Sequence, residues 1–441
     1  MTPPSGPILP VEYIHTLADG TIKQVNPFTG TQVWTVPGRA DRPITLVPAD
    51  VHALAPDANA VTCAFCSGRY AETPPEKARS VRRGAAFERR RGLTLPEVLA
   101  ETADFRRIPN LFEIISVDYW QANYGYTLPD TARERWDRYA EAPGGREHLL
   151  EMIGRRLGQR ALHLTEEELF DSSGDFFGSA HDVIVAGRHF VDGAQTSDQL
   201  ASSGTLTPAE HREYIGLTTA AMADLYESNR YIRNVSVFQN WLRPAGASFD
   251  HLHKQLVGID EHGVQAELEV RAVRENPNVF NDKAVNYAGY HNLVIAENAH
   301  AVATVGFGHR FPSLEVWSTS PVSSPAEQSD EERDSFADLL HAMHAATGPA
   351  VPCNEEWHYR PPAVDVPMPW HVVLKWRVST LAGFEGGTKI YVNTIGPYDL
   401  RERVVPALYD LRDAGRLGEG IRIGTECRVQ PNPLRYNPNL R

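Results

Sequence analysis

Residues 246–255 read Gly-Ala-Ser-Phe-Asp-His-Leu-His-Lys-Gln, and they constrain this chain more than any other stretch. His251, His253 and Gln255 stand at every second position. A strand turns successive side chains to opposite faces, so these three are expected to share one side. The apolar residues Leu256, Val257 and Ile259 continue the strand. Ahead of it, Pro244, Gly246, Ala247 and Ser248 form a small-residue turn that lets backbone approach a ligand. Converging polar side chains are costly to desolvate unless they bind or react. The alternative is a surface strand with two solvated histidines; the glycine turn and a distant cysteine pair weigh against it.

The 441 residues hold two or three domains' worth of core, and 42% hydrophobic with 22% charged residues reads as an ordinary soluble globular protein. A formal charge of −13 argues against general nucleic-acid binding. No apolar run approaches the roughly 18 residues that span a bilayer. The N-terminus lacks a basic region followed by an apolar core, so no signal peptide is expected. Four cysteines do not make a disulfide framework. The compartment expected is a reduced cytoplasm.

Along the chain, the grammar of strand, strand, long helix, strand occurs once before residue 256 and once after residue 285. In the first half it comprises a strand at 33–36, an apolar strand at 113–117, a strand at 181–186 and a helix opened by Thr207-Pro208-Ala209-Glu210. In the second half the strands fall at 292–296, 314–317 and 370–376. The helix between them is opened by Ser329, with Phe336, Leu339, Leu340 and Met343 at helical spacing. Residues 121–170 read as a helical insertion. The basic stretch from Lys77 to Arg91 reads as a solvated loop or helix face. The fold class expected is α+β, with two tandem units at 1–265 and 285–441, each an antiparallel sheet with one long helix.

Cys63-Ala64-Phe65-Cys66 is ambiguous alone: a redox pair, half a zinc site or neither. A redox pair would open a helix, whereas Ser67-Gly68 signals a turn. Zinc needs four ligands, and with no second such pair histidines must complete the set. The candidates are His163, His181, His189, His211, His251 and His253. His163 and His211 fall in charged helical contexts. The reading favours Cys63, Cys66, His189 and His251, which leaves His253 free for chemistry.

These pieces together resemble the galactose-1-phosphate uridylyltransferase family, a branch of the histidine-triad superfamily. The matching segments are residues 26–30 through 39–43, the Cys63 knuckle with 73–76, and Pro109-Asn110-Leu111-Phe112. They continue with His181 to Val185 and His189, the 246–255 stretch, and residues 381–388 with Asn393. Leu252 and Lys254 depart from the family's Pro and small residue. Pro369 stands where a second metal site would have its first histidine, so a degraded second site is expected, with His371 and His358 as remnants.

The resemblance implies two tandem histidine-triad-like units, a structural zinc and a homodimer. It implies a nucleotide sugar, with a sugar phosphate or phosphate, as substrates. His253 would be the nucleophile on the α-phosphorus, assisted by Gln255 and Ser248. Arg39, Arg42, Asn110 and Asn240 would contact substrate, as would Gly246, Ala247, Glu385 and Asn393. The alternatives are a phosphorylase or hydrolase of nucleotide sugars or dinucleoside polyphosphates, and an inactive zinc-stabilised nucleotide-binding protein. A hydrolase with a catalytic zinc is a weaker third.

Overall fold

The computed structural model describes residues 12–38 and 50–440. Three short strands come first: β1 (Ile14–Thr16), β2 (Ile22–Val25) and β3 (Gln32–Thr35). The first unit supplies β4 (Ala78–Arg83), β5 (Ala86–Arg91), β6 (Phe105–Pro109), β7 (His181–Ala186), β8 (Asn234–Trp241) and β9 (His253–Ile259). The second supplies β10 (Val294–Glu297), β11 (Ala301–Gly306), β12 (Ser313–Ser318), β13 (Cys353–His358) and β14 (His371–Trp376), followed by β15 (Ile390–Asn393) and β16 (Arg422–Ile423). β1, β2, β3 and β15 make a small sheet; the other twelve strands make one sheet, ordered β16-β10-β11-β12-β14-β13-β8-β9-β7-β6-β4-β5.

The same path is walked twice in that sheet. β4, β6, β7, β8 and β9 lie in spatial order 4-6-7-9-8; β10 to β14 lie in order 10-11-12-14-13. A long helix follows the third strand each time, Pro208–Ser228 and Asp330–Thr347. All these pairings are antiparallel. The architecture is therefore α+β with two tandem histidine-triad-like units. The units meet edge to edge: β8 pairs antiparallel with β13, setting Asn240 opposite Asn354 and Phe238 opposite Glu356.

Both long helices start where their sequences say. Thr207 accepts from the Glu210 amide while Glu210 reaches back to the Thr207 amide, and Ser329 with Glu332 repeats the exchange. Their apolar stripes, including Tyr214, Leu217 and Leu225 on one and Phe336, Leu340 and Met343 on the other, pack in one core under the sheet. The opposite face of the sheet carries the site. No helix among the described residues is long and apolar enough to cross a membrane.

Three expectations about the fold need correction. The strand read at 33–36 is β3, which pairs with β15 in the small sheet and is not part of the repeat. The strand read at 113–117 is instead β6, and residues 113–116 are irregular, with a helix starting at Val117. The basic stretch is the β4–β5 hairpin rather than a loop or helix face. Arg82, Arg83, Arg89 and Arg91 stay exposed, but Arg79 is buried, with Arg106 and Arg107 beside it on β6. Glu76 receives both Arg79 and Arg106. Asp182 receives Lys77 and Arg107. A buried charge is tolerable when it is paired and hydrogen-bonded. Glu76 is close in sequence to Arg79, but it lies 30 residues from Arg106, and Asp182 lies 75 or more from Arg107 and Lys77, so hydropathy alone mistakes a buried strand for a polar one. Helix Val117–Tyr124 packs Val117 and Trp120 into the main core, and the insertion that follows forms helices Asp130–Glu141, Gly145–Leu157 and Glu166–Ser173 around a small core of Tyr139, Leu149, Met152 and Phe176.

Candidate active site and metal centres

Cys63 and Cys66 lie on a tight turn, closed by the Cys66 amide donating to the Cys63 carbonyl at 2.9 Å. His189 follows the end of β7, and His251 sits in the bend before β9. The four converge. The sulfurs are 3.8 Å apart. His189 Nδ1 lies 3.5 and 3.6 Å from them, and His251 Nδ1 lies 3.4 and 3.7 Å from them. A tetrahedron with zinc bonds of about 2.3 Å to sulfur and about 2.0 Å to nitrogen has edges of roughly 3.8 Å (S to S) and roughly 3.5 Å (S to N). The residues present fit that ion. His251 Nε2 lies 2.6 Å from the Ala186 carbonyl, so it carries the proton and Nδ1 is bare for a metal. Hydrogen bonding from Cys63 lowers the Cys66 thiol pKa, and His189 and His251 add to this against burial.

β9 begins only at His253, so His251 does not share its face as the simple alternation predicts. His253 and Gln255 do, and both line a cavity of about 470 Å³ with Ser248, Phe249, Asn110 and His181. His253 Nδ1 is 2.8 Å from the His251 carbonyl. A carbonyl only accepts, so Nδ1 carries the proton and Nε2 is a bare lone pair. Burial lowers the His253 pKa, which keeps the ring neutral near pH 7. Phe65 packs against its ring with centroids 5.5 Å apart.

His181 decides how Gln255 is turned. The Ile114 amide donates to His181 Nδ1 at 3.1 Å, so the proton is on Nε2. That proton goes to Gln255 Oε1 at 3.1 Å, which frees the Gln255 amino group for a ligand. Asn110 is fixed similarly. Its Oδ1 accepts from the Phe112 amide at 2.9 Å. Its Nδ2 is 3.1 Å from the protonated His181 Nε2 and cannot donate there, so its hydrogens remain available. Sequence reading weighed His181 only as a metal ligand. Its orienting role depends on a backbone amide of an irregular loop, which leaves no sequence signal.

The other site residues of the sequence reading fall in three places. Gly246 (φ 90°) and Ala247 form the turn leading to Ser248, and Asn240 borders it from β8. Glu385 caps the exposed helix Gly383–Thr388 through the Ala382 amide at 3.0 Å. Asn393 on β15 donates to the His309 carbonyl at 3.3 Å, outside the His253 cavity. Arg39 and Arg42 lie outside the described residues.

On the same sheet face, Glu269, His358 and His371 each bring a ligand atom within 4.8 Å of the others. His358 and His371 are paired across β13 and β14, with rings stacked 4.9 Å apart. His358 Nε2 and His371 Nδ1 are buried without hydrogen-bond partners, and burial pushes the Glu269 carboxyl up to about 7. Three donors thus stand together where the sequence predicts a degraded site. Glu269, on helix Val264–Glu275, is the one that reading missed; one glutamate among several on a helix carries no mark.

The fold defines a class: it is the fold of galt-like proteins and of ADP-glucose phosphorylase. Among solved structures, the ADP-glucose phosphorylase from Arabidopsis thaliana with bound ADP-glucose matches at 18% identity, over 87% of this chain and 97% of that one, with a TM-score of 0.57. A GALT-like protein from the same plant matches at 17% identity, over 87% and 97%, with a TM-score of 0.55. No curated protein sequence matches. The model of the family described as Domain of unknown function (DUF4921) matches residues 17–436, and the chain belongs to that family.

Proposed function

We propose that this protein is a cytoplasmic nucleotidyltransferase that moves a nucleoside monophosphate from a nucleotide sugar to a sugar phosphate or phosphate through a covalent nucleotidyl-His253. The observation that carries this reading is the His253 tautomer: Nδ1–H is tied to the His251 carbonyl and the bare Nε2 stands in the cavity. Nε2 attacks the α-phosphorus, a P–N bond forms, and the P–O bond to the sugar phosphate breaks, the electron pair leaving with that phosphate. A phosphate oxygen of the acceptor then attacks the same phosphorus and returns His253 to its neutral state. The Gln255 amino group and Ser248 donate to the phosphoryl oxygens as charge builds, each well-placed donor lowering the barrier by about 3 kcal/mol. Arg39 and Arg42 are the proposed phosphate clamps. The exposed apolar rim of Phe112, Ile114 and Phe249 suits a base.

Zinc, held by Cys63, Cys66, His189 and His251, would be structural, since four protein ligands leave it no open position. Its work falls to the chain: tethering His251 fixes the carbonyl that orients His253. A phosphorylase using inorganic phosphate is the second reading, and the likeness to ADP-glucose phosphorylase favours it.

Incubation with α-labelled ADP-sugar, UDP-sugar and dinucleoside polyphosphate tests the proposal. The expected result is an acid-labile, base-stable protein label, absent in His253→Asn. Release of that label by inorganic phosphate or by a sugar phosphate then distinguishes phosphorylase from transferase. Absence of label with every donor, in protein that holds its metal, would refute the reading.

A further inference from the structure

We infer that Asn354 and Arg377, both from the second unit, are positioning residues that set the Asn240 amide so that its amino group faces the glycine turn; this rests on the nucleotidyl-transfer reading. β8 and β13 place Asn240 opposite Asn354. Asn354 Nδ2 lies 2.7 Å from Asn240 Oδ1 and 2.7 Å from the Ala245 carbonyl. Asn354 Oδ1 lies 2.7 Å from Arg377 Nη1. The two ends of an amide have nearly the same shape, so its partners decide which end is which. Here two partners are one-way. The Ala245 carbonyl only accepts, and the Arg377 guanidinium only donates. Turning Asn354 over would set oxygen against oxygen and donor against donor.

Asn354 therefore has one orientation, and its second N–H imposes one on Asn240. Asn240 Oδ1 must face Asn354, which leaves Nδ2 with two hydrogens for something else. That nitrogen lies 3.8 Å from where a Cβ on Gly246 would stand, at the turn that leads through Ser248 to His253. Phe238, two residues before Asn240 on the same face of β8, is directly opposite Gln255. Asn240, Gln255 and His253 thus look out from one side of the sheet, and a donor there meets phosphoryl oxygens of the bound nucleotide. Arg377 is itself steadied by stacking, its guanidinium carbon 4.6 Å from the Phe311 ring centroid. The relay gives the second unit a hand in a reaction whose nucleophile lies wholly in the first.

Asn354→Asp keeps the side chain's shape and its contact with Arg377 but removes both N–H groups. Asn240 should then turn its amino group to the new carboxylate and present Oδ1 to the phosphates. The single-turnover rate of His253 labelling is expected to fall on the order of a hundredfold, with zinc content unchanged. Because both changes remove one donor, Asn240→Ala combined with Asn354→Asp should be no slower than the slower single variant. A rate within about threefold of wild type in Asn354→Asp, or losses that multiply, would overturn the inference. A second measurement needs no substrate. In selectively 15N-asparagine-labelled wild-type protein, the Asn240 amide protons should show a nuclear Overhauser contact to the Gly246 α-protons. That contact should vanish in Asn354→Asp; its absence from the wild type would sink the relay. Failure of the wild type to take label from any nucleotide would instead refute the transfer reading, and the amide contact would still report on the relay.

Discussion

Cys63 shows how much one residue reveals and how much it withholds. Its pairing with Cys66 is legible from spacing, and its distances to His189 and His251 match a zinc tetrahedron. We predict about one zinc per chain by elemental analysis. In Cys63→Ser that zinc should be lost, and unfolding free energy should drop by several kcal/mol in urea titrations, because metal binding energy is folding energy at such a site. Full zinc retention in the variant would refute the assignment. His189 and His251 were legible because each stands at a strand boundary where a ring can leave the sheet. His181 was not legible in its observed role. Its proton position follows from the Ile114 amide, and Gln255 takes its orientation from that proton. Chains of one-way hydrogen bonds of this kind exist only once the fold has assembled them.

At the scale of a strand, Lys254 explains why β9 tolerates a charge between its two site residues. The side chain points to the helical layer and is fully buried, its ammonium against Glu355 of β13. Burial works to raise the Glu355 carboxyl, but Lys254 and His344 together hold it well below the usual range, and His344 Nε2 donates to it at 2.7 Å. The pair pins the reactive strand to the second unit across β8. Lys254→Met leaves a buried carboxylate without its ammonium partner and should cost about 3–5 kcal/mol in denaturant unfolding. Lys254→Met with Glu355→Met should recover most of that loss, since apolar replacement of both partners is close to neutral. Equal instability of single and double variants would show that the unpaired charge is not the cause. The long helices were legible from their capping residues, Thr207 with Glu210 and Ser329 with Glu332. β6 was not, because Arg106 and Arg107 read as polar until Glu76 and Asp182 are seen beside them.

At the scale of the molecule, the late segment sits apart from the His253 cavity, with Leu381 and Phe384 exposed. We propose that the homodimer implied by the resemblance forms and that this segment would reach the partner's site, so that each site would draw on two chains. Glu385→Ala and His253→Asn proteins, each inactive alone, should regain about a quarter of wild-type activity after subunit exchange, because half the dimers are mixed and each mixed dimer holds one intact site. No recovery in dimers shown by mass to be mixed would refute the shared site. The repeat of strand, strand, helix and strand was legible as an order of elements; the edge-to-edge join of the two sheets was not, because a strand's sequence does not name its neighbour. That join has a further meaning. A free first unit would end at β8, eight residues of exposed backbone edge, and such an edge recruits another strand. A second unit of the same topology presents the matching edge, as two copies of one ancestor would in an isologous dimer. Fusing them in one chain turns an encounter between molecules into a contact within one, at an effective concentration that no longer depends on how much protein the cell makes. One copy can then keep the nucleophile while the other drifts toward holding it in place.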